Sequence, residues 1–257
     1  MKVSMVMPTY NRAKYLPTAI RCFYAQTYPD LELVIVDDST ESITIPIDER
    51  IKHIRLDQRR TTGAKRNLGA QHARGEIIVA LDDDDWSHPH RVQDQVDRIL
   101  KTGKAVTGYY DTVIYEEATG NVYLQKGGPP YYVSGSSQAY LKSWWVGHPF
   151  KDVRVGEDAC FGREARIADQ LAAASIGKMM VIRCHGGNTD VRNLTWTPRL
   201  KREDISAQFF EDIKDLGFYW VLPHICSDVC KAEAEAQSKV PVPDWRPSRP
   251  LPEIATR

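Results

Sequence analysis

Four consecutive aspartates, Asp82 to Asp85, follow directly on the apolar run Ile77-Ile78-Val79-Ala80-Leu81. A run of that length with no polar residue reads as a strand buried on both faces, the pattern of a parallel sheet. The carboxylates at its end must then lie at a sheet edge, where water, hydrogen-bond donors or a cation offset their mutual repulsion. Two earlier runs end in the same way: Val3 to Met7 stops at Pro8-Thr9-Tyr10-Asn11, and Leu31 to Val36 stops at Asp37-Asp38. Helical spacing lies between them, with Leu16, Ala19, Ile20 and Phe23 on one face up to about Gln26. A further helix is expected through Ala73, capped by Thr61 or Thr62 and stopped by Gly75. The alternation predicts βαβ units in an α/β fold, and such sheets bind ligands beyond the carboxyl ends of their strands. Thr9, Asp37 and the aspartate run therefore share one rim.

Beyond the aspartates, Ser87 is expected to cap a helix carrying Val92, Val96, Ile99 and Leu100. The chain then changes character. Ala105 to Tyr115 and Asn121 to Gln125 read as a hairpin, and Gly127-Gly128-Pro129-Pro130 opens an aromatic, loop-rich stretch through Phe150, a natural second-substrate region. A helix after Gly156-Glu157-Asp158, a strand near Val181 to Cys184 and a helix over roughly Pro198 to Leu216 follow. Prolines 241, 243, 247, 250 and 252 make the end an extended tail. The expected organisation is one domain over 1–238, in two halves (1–102 and 103–238), and a tail over 239–257.

The 34 basic and 34 acidic residues cancel, which disfavours a generally polybasic surface for nucleic acid or membrane and leaves room for a local basic groove. No apolar run approaches the roughly 20 residues of a membrane span. The odd number of cysteines, five, lacks the spacing of a disulfide framework. A cytoplasmic protein is expected, with Arg246, Arg249 and Arg257 as the only support for peripheral attachment to a membrane. His224, Cys226 and Cys230 lack the four-ligand spacing of a structural zinc site and read as a histidine beside helix-buried thiols.

An acidic cluster of oxygen ligands at a strand end suits Mg²⁺ or Mn²⁺ held beside phosphates. The segments Val3 to Arg12, Ala25 to Ser39, Gly63 to Gly69 and Ala73 to Trp86, in that order and spacing, resemble the family-two inverting glycosyltransferases of GT-A fold. A weaker match continues through Val155 to Phe161 and His185 to Thr189. The resemblance implies a mostly parallel, Rossmann-like sheet flanked by helices, with a smaller acceptor-side region. It also implies a nucleoside diphosphate sugar donor, a UDP-sugar by default, bound by the 1–102 half, with 103–238 as the acceptor-side half. Pro8, Thr9, Tyr10 and Arg12 would border the nucleotide, and Asp38 or Asp37 would accept a hydrogen bond from the base. Lys65, Arg66 and Asn67 would line the nucleotide-sugar. Asp84 would ligate the metal, with Asp82 or Asp83 near the ribose, and Asp158 would be the catalytic base. His185 would close over the diphosphate or ligate the metal.

Two other functions are compatible with parts of this pattern. A nucleotidyltransferase making sugar nucleotides would carry a glycine-rich basic loop after its first strand, where this chain has Pro8-Thr9-Tyr10-Asn11-Arg12. A metal-dependent, non-catalytic carbohydrate-binding module accounts for aspartates and aromatics such as Tyr131, Tyr132, Trp144, Trp145 and His148, and leaves Glu157-Asp158 without a role. The acceptor is open among a glycan, a lipid-linked glycan, another hydroxyl compound and a modified nucleic-acid base, since fold does not select it.

Overall fold

The computed structural model describes residues 1–126, 133–175, 179–188 and 201–204. In chain order the elements are β1 (Val3–Thr9), α1 (Leu16–Ala25), β2 (Leu31–Asp37), β3 (Ile51–Arg55), α2 (Thr62–His72), β4 (Ile77–Ala80), β5 (Trp86–Ser87), α3 (Arg91–Thr102), β6 (Val106–Tyr109), β7 (Thr112–Glu116) and β8 (Val122–Lys126). They continue with a 3₁₀ turn (Gly135–Ser137), β9 (Ala139–Leu141), α4 (Lys142–Gly147), α5 (Glu157–Ile167), β10 (Leu171–Ala174), β11 (Met180–Cys184) and β12 (Lys201–Asp204).

Two sheets form. The larger runs β10-β6-β9-β4-β1-β2-β3, and the smaller runs β12-β8-β7-β11-β5. β1 lies at the heart of the first, parallel to β2 and β4, with Thr9 opposite Asp37 and Val6 opposite Ala80. This register brings Thr9, Asp37-Asp38 and Asp82 to one end of the sheet. Strand alternation sorts the core into two layers. Val3, Met5, Met7, Leu33, Ile35, Ile77 and Val79 pack on α1 and α3, while Val6, Val34, Val36 and Ile78 face Phe161 and Ala165 of α5. Gly69 lets α2 approach β1, because a Cβ there would meet Val6 Cγ1 at 2.3 Å.

Several expectations are corrected. Ser87 does not cap α3, which begins after His90; it lies in β5 and its hydroxyl accepts from Arg91 Nη1 at 2.8 Å. Gly75 does not end α2 in a left-handed turn; Ala73 closes the helix in extended conformation, and Gly75 packs tightly against Ser4. The run 105–115 is not one hairpin arm, since β6 joins the large sheet and only β7 pairs with β8. Within the helix expected over Pro198 to Leu216, Lys201–Asp204 forms a strand antiparallel to β8. Tyr131, Tyr132, the 224–230 cluster and the proline-rich tail lie outside the described residues. Among the described residues, no helix is long and apolar enough to cross a membrane.

Candidate active site

β4 ends in the aspartate run, and β5 resumes two residues after Asp84 in the other sheet. The carboxylates thus sit where the two sheets meet, over a cavity of about 570 Å³. Pro8, Thr9, Tyr10, Arg12, Lys65, Arg66, Asp82, Asp83, Asp84 and Asp158 all line it. Of the residues expected there, Asp37, Asp38 and His185 are buried and do not line it, and neither does Asn67. Its Nδ2 donates to the Phe150 carbonyl at 2.8 Å and its Oδ1 accepts from Trp145 Nε1 and the Phe150 amide, both at 2.9 Å. Asn67 faces the opposite side of α2 from the cavity residues and ties that helix to the 144–150 segment.

The two candidate base-pocket carboxylates separate. Asp37 turns toward the sheet edge, where His53 Nε2 lies 3.2 Å and Arg55 Nη1 2.5 Å from its Oδ2. Asp38 faces inward: Lys65 Nζ donates to Oδ1 at 2.7 Å and the Arg60 amide to Oδ2 at 2.7 Å. Lys65 also reaches the Thr9 carbonyl at 2.9 Å. Burial lowers the Lys65 pKa, against the opposing pull of Asp38.

The aspartates take four different environments. Asp82 accepts from Arg66 Nη2 at 2.9 Å. Asp83 accepts from Thr9 Oγ1 at 2.6 Å, and burial beside Asp84 pushes its pKa up to about 7. Asp84 is buried, which by itself would raise its pKa, but the hydrogen bond from His185 and the charge of Arg12 hold it below the ordinary value. Asp85 is raised, by burial first and by Asp84 next, and accepts from the Arg183 amide at 3.1 Å. Below them the fully buried Arg91 donates to the carbonyls of Ala80 (2.8 Å) and Ser136 (2.6 Å), joining the end of β4 to the 3₁₀ turn.

His185 Nε2 lies 3.0 Å from Asp84 Oδ2, and the Arg12 guanidinium contacts both. Tyr15 packs on the imidazole with ring centroids 4.6 Å apart. Asp84 and His185 offer one oxygen and one nitrogen donor side by side, a set that fits Mn²⁺ or Mg²⁺ with other positions left for diphosphate oxygens and water. The fit is unequal. The Gly187 amide donates to His185 Nδ1 at 3.0 Å, which places the neutral ring's proton on Nε2. Ligation through Nε2 requires that proton to move to Nδ1 at the expense of the Gly187 contact, whereas Asp84 carries no such cost. Among the described residues, no group of three or more His, Cys, Asp or Glu side chains is set to hold an ion.

Glu157 and Asp158 open α5 after Gly156, whose φ of 87° requires the freedom of glycine. They diverge. Glu157 is buried and accepts from Arg66 Nε at 3.1 Å, so Arg66 braces α5 against Asp82. Asp158 lines the cavity with Oδ1 accepting from the Ala159 amide at 2.7 Å; burial raises its pKa, partly offset by Arg66. Its other flank is the backbone of Gly135, so close that a Cβ there would lie 1.8 Å from Asp158 Oδ2. Gln138 Nε2 donates to the Asp158 carbonyl at 3.0 Å. Residues 134–138 and Arg183 had no motif to mark them. The one available signal was position, a glycine and serines in a turn and an arginine at a strand end.

The family model for glycosyl transferase family 2 matches residues 4–147. This chain belongs to glycosyl transferase family 2. The glycosyltransferase GlyG of Streptococcus pneumoniae is 27% identical over 139 residues, which are 51% of this chain and 46% of that protein. The succinoglycan biosynthesis protein ExoO of Rhizobium meliloti is 36% identical over 110 residues, 40% of this chain and 31% of that one. The chain spans less than half the length of either relative. In fold, it is similar to S. aureus TarS 1–349 crystallised with UDP-GlcNAc, at TM-score 0.60 and 18% identity over 92% of this chain and 71% of that one. The mixed sheet with helices on both faces is the GT-A arrangement, and the family-2 match covers every strand of the large sheet except β10.

Proposed function

We propose that the chain transfers a sugar from a nucleoside diphosphate sugar, with UDP as the favoured nucleotide, to an acceptor hydroxyl by direct displacement with inversion. The observation that carries this reading is one cavity holding both the aspartate run and Asp158, brought together from β4 and α5. The family-2 match and the UDP-GlcNAc complex of the TarS neighbour support the choice of donor.

In this scheme Tyr10 flanks the base, and Asp38, oriented by Lys65, accepts an imide N–H. Asp158 removes the acceptor proton as the acceptor oxygen bonds to the anomeric carbon and the bond from that carbon to the diphosphate breaks. The nucleoside diphosphate leaves with the electron pair. Burial that raises the Asp158 pKa makes it a stronger base than an ordinary carboxylate while Arg66 keeps it from being permanently protonated. Asp84, with His185 beside it, would hold Mn²⁺ or Mg²⁺. Such an ion neutralises charge on the leaving diphosphate. Arg12 lies against the same carboxylate and donates to that charge from the protein side.

Calorimetric titration with nucleoside diphosphates, with Mn²⁺ and then with a chelator, tests the scheme. UDP is expected to bind in the presence of metal, with binding lost in Asp84→Ala and kept in Asp158→Ala, which loses transfer instead. Absence of binding by every nucleotide would overturn the donor site.

A further inference from the structure

Every cation in the interior of the cavity has a carboxylate partner. Arg12 pairs with Asp84, Lys65 with Asp38, and Arg66 with Asp82 and Glu157; Arg183 lies 3.7 Å from Glu117. Three further arginines that line the same cavity have none among the described residues: Arg59, Arg60 and Arg154. All three are exposed. Arg59 lies over the Tyr10 ring, 3.3 Å from its centroid, which leaves its charge uncompensated. Arg60 uses its backbone amide on Asp38, and among the described residues no carboxylate pairs with its guanidinium.

The three come from two neighbouring segments. Arg59 and Arg60 precede the cap of α2, and Arg154 lies four residues before Asp158. The Gly63 amide donates to the Val153 carbonyl at 3.2 Å and Thr61 Oγ1 donates to Asp152, so the two segments run together along one wall. That wall leads from the Tyr10 side of the cavity to Asp158. One exposed arginine is unremarkable on any surface. Three lining one cavity, in a chain of zero formal charge, make a local positive field that no carboxylate among the described residues answers.

We infer that the acceptor presents a phosphate ester close to its reactive hydroxyl, bound by Arg60 and Arg154 with Arg59 beside them. Guanidinium forks match phosphate oxygens in pairs, and a fixed anion beside Asp158 would hold the hydroxyl in reach of the base. The acceptor class is a phosphorylated sugar or polyol. This inference rests on the transferase reading only in taking the open side of the cavity for the acceptor.

The test is calorimetry on the whole chain with its donor site filled by UDP and Mn²⁺, titrated with glycerol 3-phosphate and, separately, with glycerol. Glycerol 3-phosphate is expected to bind, more weakly as salt rises, while glycerol does not. Arg60→Ala and Arg154→Ala should each weaken it by about tenfold, the worth of a charge-assisted hydrogen bond, with UDP affinity unchanged. Failure of glycerol 3-phosphate to bind the parent chain, or binding by both variants as tight as the parent's, would overturn the inference. Loss of UDP affinity in the variants would also overturn it, by assigning these arginines to the donor diphosphate. Two control arms use phosphatidylglycerol vesicles and a single-stranded oligonucleotide. Capture of either without binding of glycerol 3-phosphate would replace the phosphate ester by a membrane surface or a nucleic acid. If UDP itself does not bind, the donor reading fails on its own, and glycerol 3-phosphate titrated alone still reports on the arginines.

Discussion

Gly135→Ala asks whether Asp158 depends on the absence of a side chain opposite it. The new Cβ would stand 1.8 Å from Asp158 Oδ2 and 2.5 Å from its Cβ and Cγ, where ordinary contact begins at 3.4 Å. Rotation of the carboxylate relieves the first contact and not the second, so the first turn of α5 must retreat by about 1 Å. Backbone conformation is not the obstacle. Gly135 has no positive φ, and alanine is the better residue in a helical turn. A misplacement of about 1 Å in a reacting group is worth about 100-fold in rate, at the lower end of what a general base contributes. Overpacking of this kind costs about 1–3 kcal/mol, less than the stability of a typical domain, so the variant is expected to fold. Initial rates of transfer, UDP affinity by calorimetry and the thermal midpoint would be measured together. The expected result is a fall of about 100-fold in kcat with UDP affinity retained. Turnover within about threefold of the parent, with the same pH profile, would refute the reasoning, because a displaced Asp158 would then be doing the same chemistry.

The raised pKa of Asp158 gives a second expectation. A base acts only when deprotonated, so kcat/KM should fall as pH drops through a value above the ordinary aspartate figure of about 3.9. Asp158→Asn should leave a low, pH-independent residue of activity, and an unchanged acid limb in that variant would assign the titration elsewhere. Far from the site, buried Glu32 accepts from Ser4 Oγ at 2.6 Å and from Arg74 Nε at 2.5 Å; burial opposes the charge, but these bonds lower its pKa. A lowered folded-state pKa adds stability that is complete above the unfolded value of about 4.3 and is lost as pH falls through the folded one. Denaturant unfolding of Glu32→Gln should therefore show a deficit of about 1–3 kcal/mol at neutral pH that shrinks in acid. A deficit constant with pH would show that the charge is not what matters.

The elements legible in the sequence are those whose burial is long and uniform. β1, β2 and β4 lie between helices on both faces and had to be continuous apolar runs, and α1 and α3 carry one apolar stripe each. β3 is missed because Ile51–Arg55 is an edge strand, half exposed, whose polar Lys52, His53 and Arg55 break the two-residue period. β10 was missed because Leu-Ala-Ala-Ala carries no β signature, and β9 because three residues have no period at all. The switch of sheets between β6 and β7 is hidden by apolar residues on both sides of Tyr110-Asp111, as each strand is buried in its own sheet. In the site, the charged residues stood out because carboxylates and cations at strand ends need an explanation. Asn67 misled because its neighbours Lys65 and Arg66 do reach the cavity, and one step along a helix turns the side chain away. Gly135 carries no chemistry of its own, and only its distance from Asp158 reveals it.

β9 also bears on how the chain is made. Its three residues lie between β4 and β6, antiparallel to both, so the large sheet is closed by a strand that follows α3 by more than thirty residues. Until Leu141 has left the ribosome, β4 is an open edge of apolar residues with unpaired amides and carbonyls, the kind of surface that recruits other strands. The boundary near residue 102, where the composition changes, is therefore no boundary for folding. A nascent chain that has synthesised all of its donor-side carboxylates still cannot complete the sheet that carries them.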